Sequence, residues 1–105
     1  MNKRLDNIVS ILEKHKGENV EVFDLKDTDY MTEYVVVASS LGERHTEALL
    51  THLKKDLNGS EEFLHVDATG EWIAIDLGDI LVHIMIPTQR EKYDLDKFLN
   101  EVKSK

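Results

Sequence analysis

An aspartate and a histidine stand at a spacing that could make a chemically active pair. Trp72, Asp76, Asp79 and His83 all fall within the segment EWIAIDLGDILVH. An Asp beside a His raises the imidazole pKa and fixes the orientation of the ring, which can serve either catalysis or recognition. The plainer interpretation is a half-buried His that a nearby Asp satisfies for structural reasons. In either case we expect Asp76 to raise the pKa of His83.

A β-hairpin is the element that positions these residues. Gly78-Asp79 fits a two-residue type II′ turn, because glycine adopts the positive φ that this turn needs. The turn predicts a core-facing side made of three apolar pairs, namely Leu77 with Ile80, Ile75 with Val82, and Ile73 with Ile84. The opposite side would carry Trp72, Ala74, Asp76, Leu81, His83 and Met85. On that side Asp76 lies diagonal to His83, at roughly 7 Å between Cα atoms.

Hydrophobic periodicity predicts the remaining elements. In chain order they are a helix over 3–16, strands over 20–25 and 34–39, a second helix that ends at Asn58-Gly59, a strand over 63–66, the two hairpin strands, and a helix from about 90 to 102. The strand over 34–39 is a run of β-branched residues that indicates burial on both faces, and Pro87 ends the last strand. The order predicts a single α/β domain, with a mixed sheet of about five strands flanked by helices.

Composition restricts the classes of function. A length of 105 residues suits one domain. The net charge of −8, from 13 basic and 21 acidic residues, argues against binding nucleic acid and is compatible with a basic protein partner. The absence of cysteine excludes thiolate ligands and nucleophiles. No apolar run approaches the ~20 residues of a membrane helix, and no hydrophobic signal core opens the chain, so we expect a cytoplasmic protein.

Metal and anion sites receive weak support. His45 and His52 share a helix face but lie about 10.5 Å apart along its axis, which is too far for one metal ion. The junction at 39–42 could bind an anion through helix N-terminal amides, although it lacks the Lys of a P-loop and a capped helix is the plainer account. Asp76 and Asp79 should point in different directions across the turn. No metal site and no catalytic centre is therefore expected.

Trp72 gives the second side of the hairpin an apolar centre. A Trp at the end of a strand often covers the core, but Trp and Tyr are also enriched in binding hot spots. Trp72 lies opposite Met85, and its acidic and polar border consists of Glu71, Asp76, Asp79 and Tyr93. An apolar centre with a polar rim is typical of protein interfaces. We expect Trp72 to be the centre of such an interface.

The chain resembles the ribosomal silencing factor family, also called the Iojap-related proteins. The resemblance rests on residues 71–83, followed by Arg90-Glu91 and Tyr93-Asp94-Leu95, and is supported by residues 29–38 and by the pair Arg44-His45. It covers about residues 5–100. The chain departs from the family at Glu33, where Asp is usual, at Glu43, where Ser is usual, and at the connection 58–70, which lacks the common Glu-Gly ending.

The resemblance implies a fold related to the nucleotidyltransferases without their catalytic carboxylates, hence no enzyme and no cofactor. It implies a protein that binds the large ribosomal subunit through its fourteenth protein, a basic one, and blocks joining of the small subunit under nutrient limitation. A homodimer of the free protein is left open. Carried over by position, the contact or signature residues are Glu71, Trp72, Asp76, Asp79, His83, Arg90, Tyr93 and Asp94. The alternative is a small nucleotide-binding or nucleotidyl-transfer enzyme that uses the 39–42 junction with Asp76 and Asp79.

Overall fold

Five strands form one mixed sheet in a computed structural model that describes residues 3–104. The elements are α1 (Lys3–Lys14), β1 (Glu18–Asp24), β2 (Tyr34–Ser39), α2 (Glu43–Asp56), β3 (His65–Ala68), β4 (Trp72–Asp76), β5 (Ile80–Met85), α3 (Pro87–Tyr93) and α4 (Leu95–Ser104). The strand order is β1-β2-β5-β4-β3, in which β2 and β5 are parallel and the other pairs are antiparallel. The predicted α/β class and five-stranded mixed sheet are confirmed.

The first face of the sheet is covered by α1 and α2. The strand β2 is buried along its whole length, as its β-branched run predicts. The apolar stripes of the two helices pack on the core side of the hairpin, and this first core layer includes Leu5, Ile8, Leu12, Leu49, Leu53, Ile73, Ile75, Val82 and Ile84. The core-facing side that alternation predicts for the hairpin is therefore confirmed.

The second face of the sheet is only half covered. Leu99 of α4 is buried in a second core layer with residues of β1, β2 and β5, namely Phe23, Val35, Val37 and Met85. This helical cover does not extend to the sheet edge formed by β4 and β3. Ala74 and Asp76 of β4 remain partly exposed, and His65 and Asp67 of β3 are exposed. The part of this face formed by β4 and β3 is therefore accessible.

Several element boundaries differ from the sequence prediction. The last helical pattern divides into α3 and α4 because Asp94 adopts the left-handed conformation, with φ 46°, and ends α3. Pro87 both follows the last strand and begins α3, where its missing N–H is not needed. The strand predicted at 63–66 lies at His65–Ala68 instead, because Phe63 packs against the first core layer from a loop. The helix α1 ends at Lys14 rather than at residue 16.

Candidate partner-binding surface

The hairpin β4–β5 has the predicted register. Trp72 pairs with Met85, Ala74 with His83, and Asp76 with Leu81, so Asp76 is diagonal to His83. At the turn Gly78 has a φ of 95°, the left-handed conformation for which glycine is suited. The carbonyl of Asp79, at the tip, accepts hydrogen bonds from the backbone N–H groups of Glu33 and Tyr34, at 3.0 and 3.1 Å. Register and tip together fix where the side chains of the second face emerge.

Trp72 lies opposite Met85 as predicted, but the expected exposure of Met85 at the surface is wrong. Met85 is completely buried and His83 is only 8% exposed, because α4 covers this part of the second face with Leu99. Met85 therefore belongs to the second core layer and cannot contact a partner. Trp72, one strand further out, packs against that layer and remains partly exposed.

His83 is held by Trp72 and not by Asp76. The indole Nε1 of Trp72 donates a hydrogen bond to Nδ1 of His83 at 3.0 Å, and the two ring centroids lie 5.8 Å apart. Asp76 uses its Oδ1 to accept a hydrogen bond from the backbone N–H of Gly78 at 2.8 Å. Burial lowers the pKa of His83 to about 4, so the predicted rise was wrong. The imidazole is neutral at neutral pH and accepts through Nδ1, which places its proton on Nε2.

A measurable consequence is that His83 should destabilise the fold in mild acid. Its pKa is about 4 when folded and 6.5 when unaffected by structure, so between these pH values the unfolded chain binds more protons. Stability should therefore be intact above pH 6.5 and fall by up to about 3 kcal/mol as the pH decreases towards 4. Chemical denaturation from pH 7 to 4.5, compared with His83→Asn, measures this dependence. An NMR titration that gave His83 in the folded protein a pKa above 6.5, and a lower pKa in Asp76→Asn, would contradict this expectation.

Trp72, which is partly exposed, and Tyr93, which is exposed, form the aromatic part of the second face. Their ring centroids lie 5.2 Å apart, and Tyr93 is 53% exposed. Beside them is a shallow cleft of about 230 Å³ lined by Asp67, Thr69, Trp72 and Ala74. We call the five residues Asp67, Thr69, Trp72, Ala74 and Tyr93 the Trp72 surface. It combines two aromatic side chains with a carboxylate on the accessible half of the sheet.

Glu71 and Asp94 lie next to the Trp72 surface in the chain but have structural contacts of their own. The carboxylate of Glu71 accepts a hydrogen bond from Gln89 Nε2 at 2.7 Å, and its carbonyl accepts one from the N–H of Ile86 at 3.0 Å. Asp94 is exposed at the corner between α3 and α4, where its N–H donates to the carbonyl of Arg90.

Arg90 ties three separate parts of the fold together. Its Nε and Nη2 donate to the two carboxylate oxygens of Asp96 at 2.9 and 2.8 Å. Its Nη1 donates to the carbonyl of Asn19 at 2.7 Å and to the hydroxyl of Ser39 at 2.9 Å. The guanidinium also holds the pKa of Asp96 below its usual range. With 12% of its side chain exposed, Arg90 joins the α3–α4 corner to β1 and β2.

Asp79 lies at the opposite end of the hairpin from Trp72. Arg4 of α1 donates to both of its carboxylate oxygens, at 2.7 and 3.0 Å, and to both oxygens of Glu61, at 2.8 and 2.7 Å. Hydrogen bonding to the Arg4 guanidinium holds the pKa of Asp79 below its usual range. The structure therefore groups Trp72, His83 and Tyr93 and separates Asp79 from them.

Polar groups of the junction at 39–42 are hydrogen-bonded to neighbouring side chains. The hydroxyl of Ser40 lies 2.6 Å from that of Thr46, and the backbone N–H of Leu41 donates to Nδ1 of His45 at 2.8 Å. The hydroxyl of Ser39 accepts a hydrogen bond from Arg90. Between residues 3 and 104, no three His, Asp or Glu side chains are grouped so that they could hold a metal ion. No helix in the same range is long and apolar enough to cross a membrane.

Asp67 and Thr69 are the members of the Trp72 surface that sequence reasoning missed. Asp67 lies on β3, in register with β4 through its pairing with Ala74, and Thr69 directly follows the strand. Because alternate residues of neighbouring strands share a face, this pairing places Asp67 beside Trp72. The alternation of β3 was a usable signal, but the strand was predicted two residues too early.

The whole chain, residues 1–105, matches the family model described as "Ribosomal silencing factor during starvation". Ribosomal silencing factor RsfS of Haemophilus influenzae is 32% identical over 95 residues, which cover 86% of this chain and 91% of that protein. RsfS of Chromobacterium violaceum is 28% identical over 95 residues, covering 84% and 75%. The mouse "Mitochondrial assembly of ribosomal large subunit protein 1" is 26% identical over 99 residues, covering 89% of this chain and 43% of the mouse protein, so the chain spans less than half of that relative.

Two solved structures share the fold. A crystal structure of a Chromobacterium violaceum protein superposes with a TM-score of 0.86 at 24% identity, over 95% of this chain and 88% of that one. A Bacillus halodurans structure superposes with a TM-score of 0.80 at 24% identity, over 91% and 92%. At these identities the likeness concerns the arrangement of helices and strands.

Proposed function

This chain belongs to the ribosomal silencing factor family, and from that membership we propose that it binds the large ribosomal subunit and sterically blocks joining of the small subunit. Its direct partner is the fourteenth protein of the large subunit, a basic ribosomal protein. The consequence is lower translation under nutrient limitation. The protein acts as a bound obstacle in the cytoplasm and has no catalytic role.

The observation that supports this proposal best is the Trp72 surface. The helices cover one face of the sheet and half of the other, and Trp72 and Tyr93 lie on the part that remains accessible. Trp and Tyr are among the residues enriched in binding hot spots. His83, which accepts the hydrogen bond of Trp72, is neutral and buried, so it holds the indole in place without adding charge. A rigid aromatic anchor loses little conformational freedom on binding.

Charge supports a basic partner. The net charge is −8, and Asp67 and Asp76 lie on the accessible half of the second face. Opposite charges accelerate association and discourage wrong partners, whereas the aromatic centre supplies most of the affinity. Steric exclusion then requires only that the bound domain occupies space between the two subunit surfaces. The domain measures 36 × 33 × 22 Å, which is large enough to keep two subunit surfaces apart wherever it is bound between them.

Sedimentation with purified ribosomal subunits tests the proposal. We expect the protein to pellet with large subunits and not with small ones, and binding to weaken several-fold between about 50 mM and 200 mM monovalent salt, because acidic and basic groups are screened. Asp67→Asn should reduce the salt dependence. Glu47→Gln, which removes an exposed charge of α2 on the other side of the molecule, is the matched control and should leave the salt dependence unchanged.

Two results would count against the proposal. If the protein did not pellet with large subunits at any salt concentration, the proposed partner would be wrong. If it pelleted equally at both salt concentrations, and Asp67→Asn behaved like Glu47→Gln, the pairing of acidic and basic surfaces would be wrong while the partner would stand.

A further inference from the structure

The strand β3 forms one edge of the sheet and borders the Trp72 surface. Among residues 3–104 its backbone pairs only with β4. The N–H of Thr69 donates to the carbonyl of Trp72 at 3.2 Å, which fixes the phase of the antiparallel ladder. In such a ladder, residues two and four positions before Thr69, namely Asp67 and His65, turn their backbone groups to β4, and the residues between them turn theirs away. The N–H and C=O groups of Val66 and Ala68 therefore point out of the sheet.

This edge is short and carries Asp67, but it lacks the other features that normally protect an edge strand. Its four residues, HVDA, include neither Pro nor Lys, and its pairing with β4 has no bulge. The opposite edge strand, β1, contains a register shift between Glu18 and Glu21, and the carbonyl of Asn19 is bonded by Arg90. Among the described residues, the outward backbone groups of β3 thus form an edge without a register shift.

The surroundings of β3 indicate which chain could be added there. Asp67 of β3 and Thr69, which directly follows the strand, line the cleft beside Trp72, so alternate side chains of an added strand would lie over the Trp72 surface. The exposed carboxylates of Glu62 and Asp67 favour Lys or Arg on that strand. A second copy of this chain is disfavoured, because each copy carries a net charge of −8 and would place like charges opposite one another.

We propose that an extended basic segment of the ribosomal partner adds to β3 as a sixth strand, with its side chains alternately over the Trp72 surface. Backbone hydrogen bonds to Val66 and Ala68 then give affinity, and the cleft beside Trp72 gives specificity. The inference rests on the proposed function and specifies how the basic partner is held.

Proline at position 68 tests the hydrogen bonds directly. Ala68→Pro removes one outward N–H. It leaves the hydrogen bonds to β4 complete, because the N–H of residue 68 does not point to β4. Edge strands tolerate proline at such outward-facing positions. Ala68→Val keeps the N–H at the same position and is the matched control. In sedimentation with purified large subunits we expect Ala68→Pro to bind at least tenfold more weakly than wild type, and Ala68→Val to bind within twofold. Thermal unfolding establishes that both variants are folded.

Deuterium exchange gives a second readout in the unmodified protein. The amides in the segment 63–70 should exchange more slowly in the presence of saturating large subunits than in the free protein. Equal binding by Ala68→Pro and Ala68→Val, or unchanged exchange of this segment, would overturn strand addition; if Trp72→Ala still abolished binding, the proposed function would survive. Absence of wild-type binding would overturn both. Protection that increases with the concentration of the free protein would identify a second copy as the occupant and overturn the basic segment.

Discussion

Replacing Trp72 with alanine is expected to weaken binding to the large subunit at least tenfold. Truncating an aromatic hot spot typically costs about 2 kcal/mol or more, and a tenfold change corresponds to about 1.4 kcal/mol. The same change removes the packing of the indole on the second core layer and its hydrogen bond to His83. We therefore also expect a loss of about 2 kcal/mol in the free energy of unfolding, less than for a fully buried Trp. Sedimentation and chemical denaturation of one preparation measure both effects.

A matched control separates binding from stability. Leu99 is completely buried in the same core layer, so Leu99→Ala should cost about 2–5 kcal/mol of stability and leave the affinity of the folded protein unchanged. A Trp72→Ala protein that behaved in the same way, unfolding early but binding normally, would make Trp72 a cover for the core. The centre of the interface would then lie nearer Tyr93, whose ring is more exposed.

Replacing Arg90 with alanine is expected to lower stability by about 2–3 kcal/mol, or roughly 10 °C in Tm for a domain of this size. The change leaves Asp96 without its two hydrogen bonds and removes the donors of the Asn19 carbonyl and the Ser39 hydroxyl. Arg90→Lys should recover less than half of the loss, because an ammonium cannot bond the carboxylate in parallel and also reach both other acceptors. Thermal and chemical unfolding measure the two variants.

Arg44→Ala is the control for Arg90. Arg44 is exposed on α2, so its removal should change the free energy of unfolding by less than about 0.5 kcal/mol. On the rough scale of surface substitutions, Arg44→Ala should unfold within 2 °C of wild type. If Arg90→Ala did the same, the hydrogen bonds of Arg90 would contribute little to the stability of the fold. Its guanidinium would then be available to a partner, as the resemblance to the family suggests.

The first face of the sheet was predictable because its determinants are local. Alternating apolar residues set the register of the hairpin, Gly78 supplied the turn, and both are as predicted. The second face was not predictable in the same way, since it depends on where α4 docks. The periodicity of the apolar residues around Leu99 indicates an apolar helix face, but it does not show which strands that face covers. Met85 and His83 were therefore placed at the surface, whereas both are buried.

The roles of the individual site residues depended even more on tertiary structure. The helical pattern continues through Asp94, so nothing in it shows the left-handed residue that separates α3 from α4. Arg90 contacts a carbonyl 71 positions away in the chain, and such a partner has no local sequence signal. For His83, the sequence showed a carboxylate in reach but not the burial that determines the pKa. Trp72 was correctly placed at the border of the hairpin because its position follows from the register alone.

The rate of subunit joining, followed by light scattering, tests the central claim most directly. Large subunits are first saturated with the protein, and small subunits are then added. We expect wild type to suppress the rise in scattering, and Trp72→Ala at the same concentration to leave most of the rise intact. Joining at an unchanged rate, with sedimentation showing that wild type remains bound to the large subunits, would contradict steric exclusion.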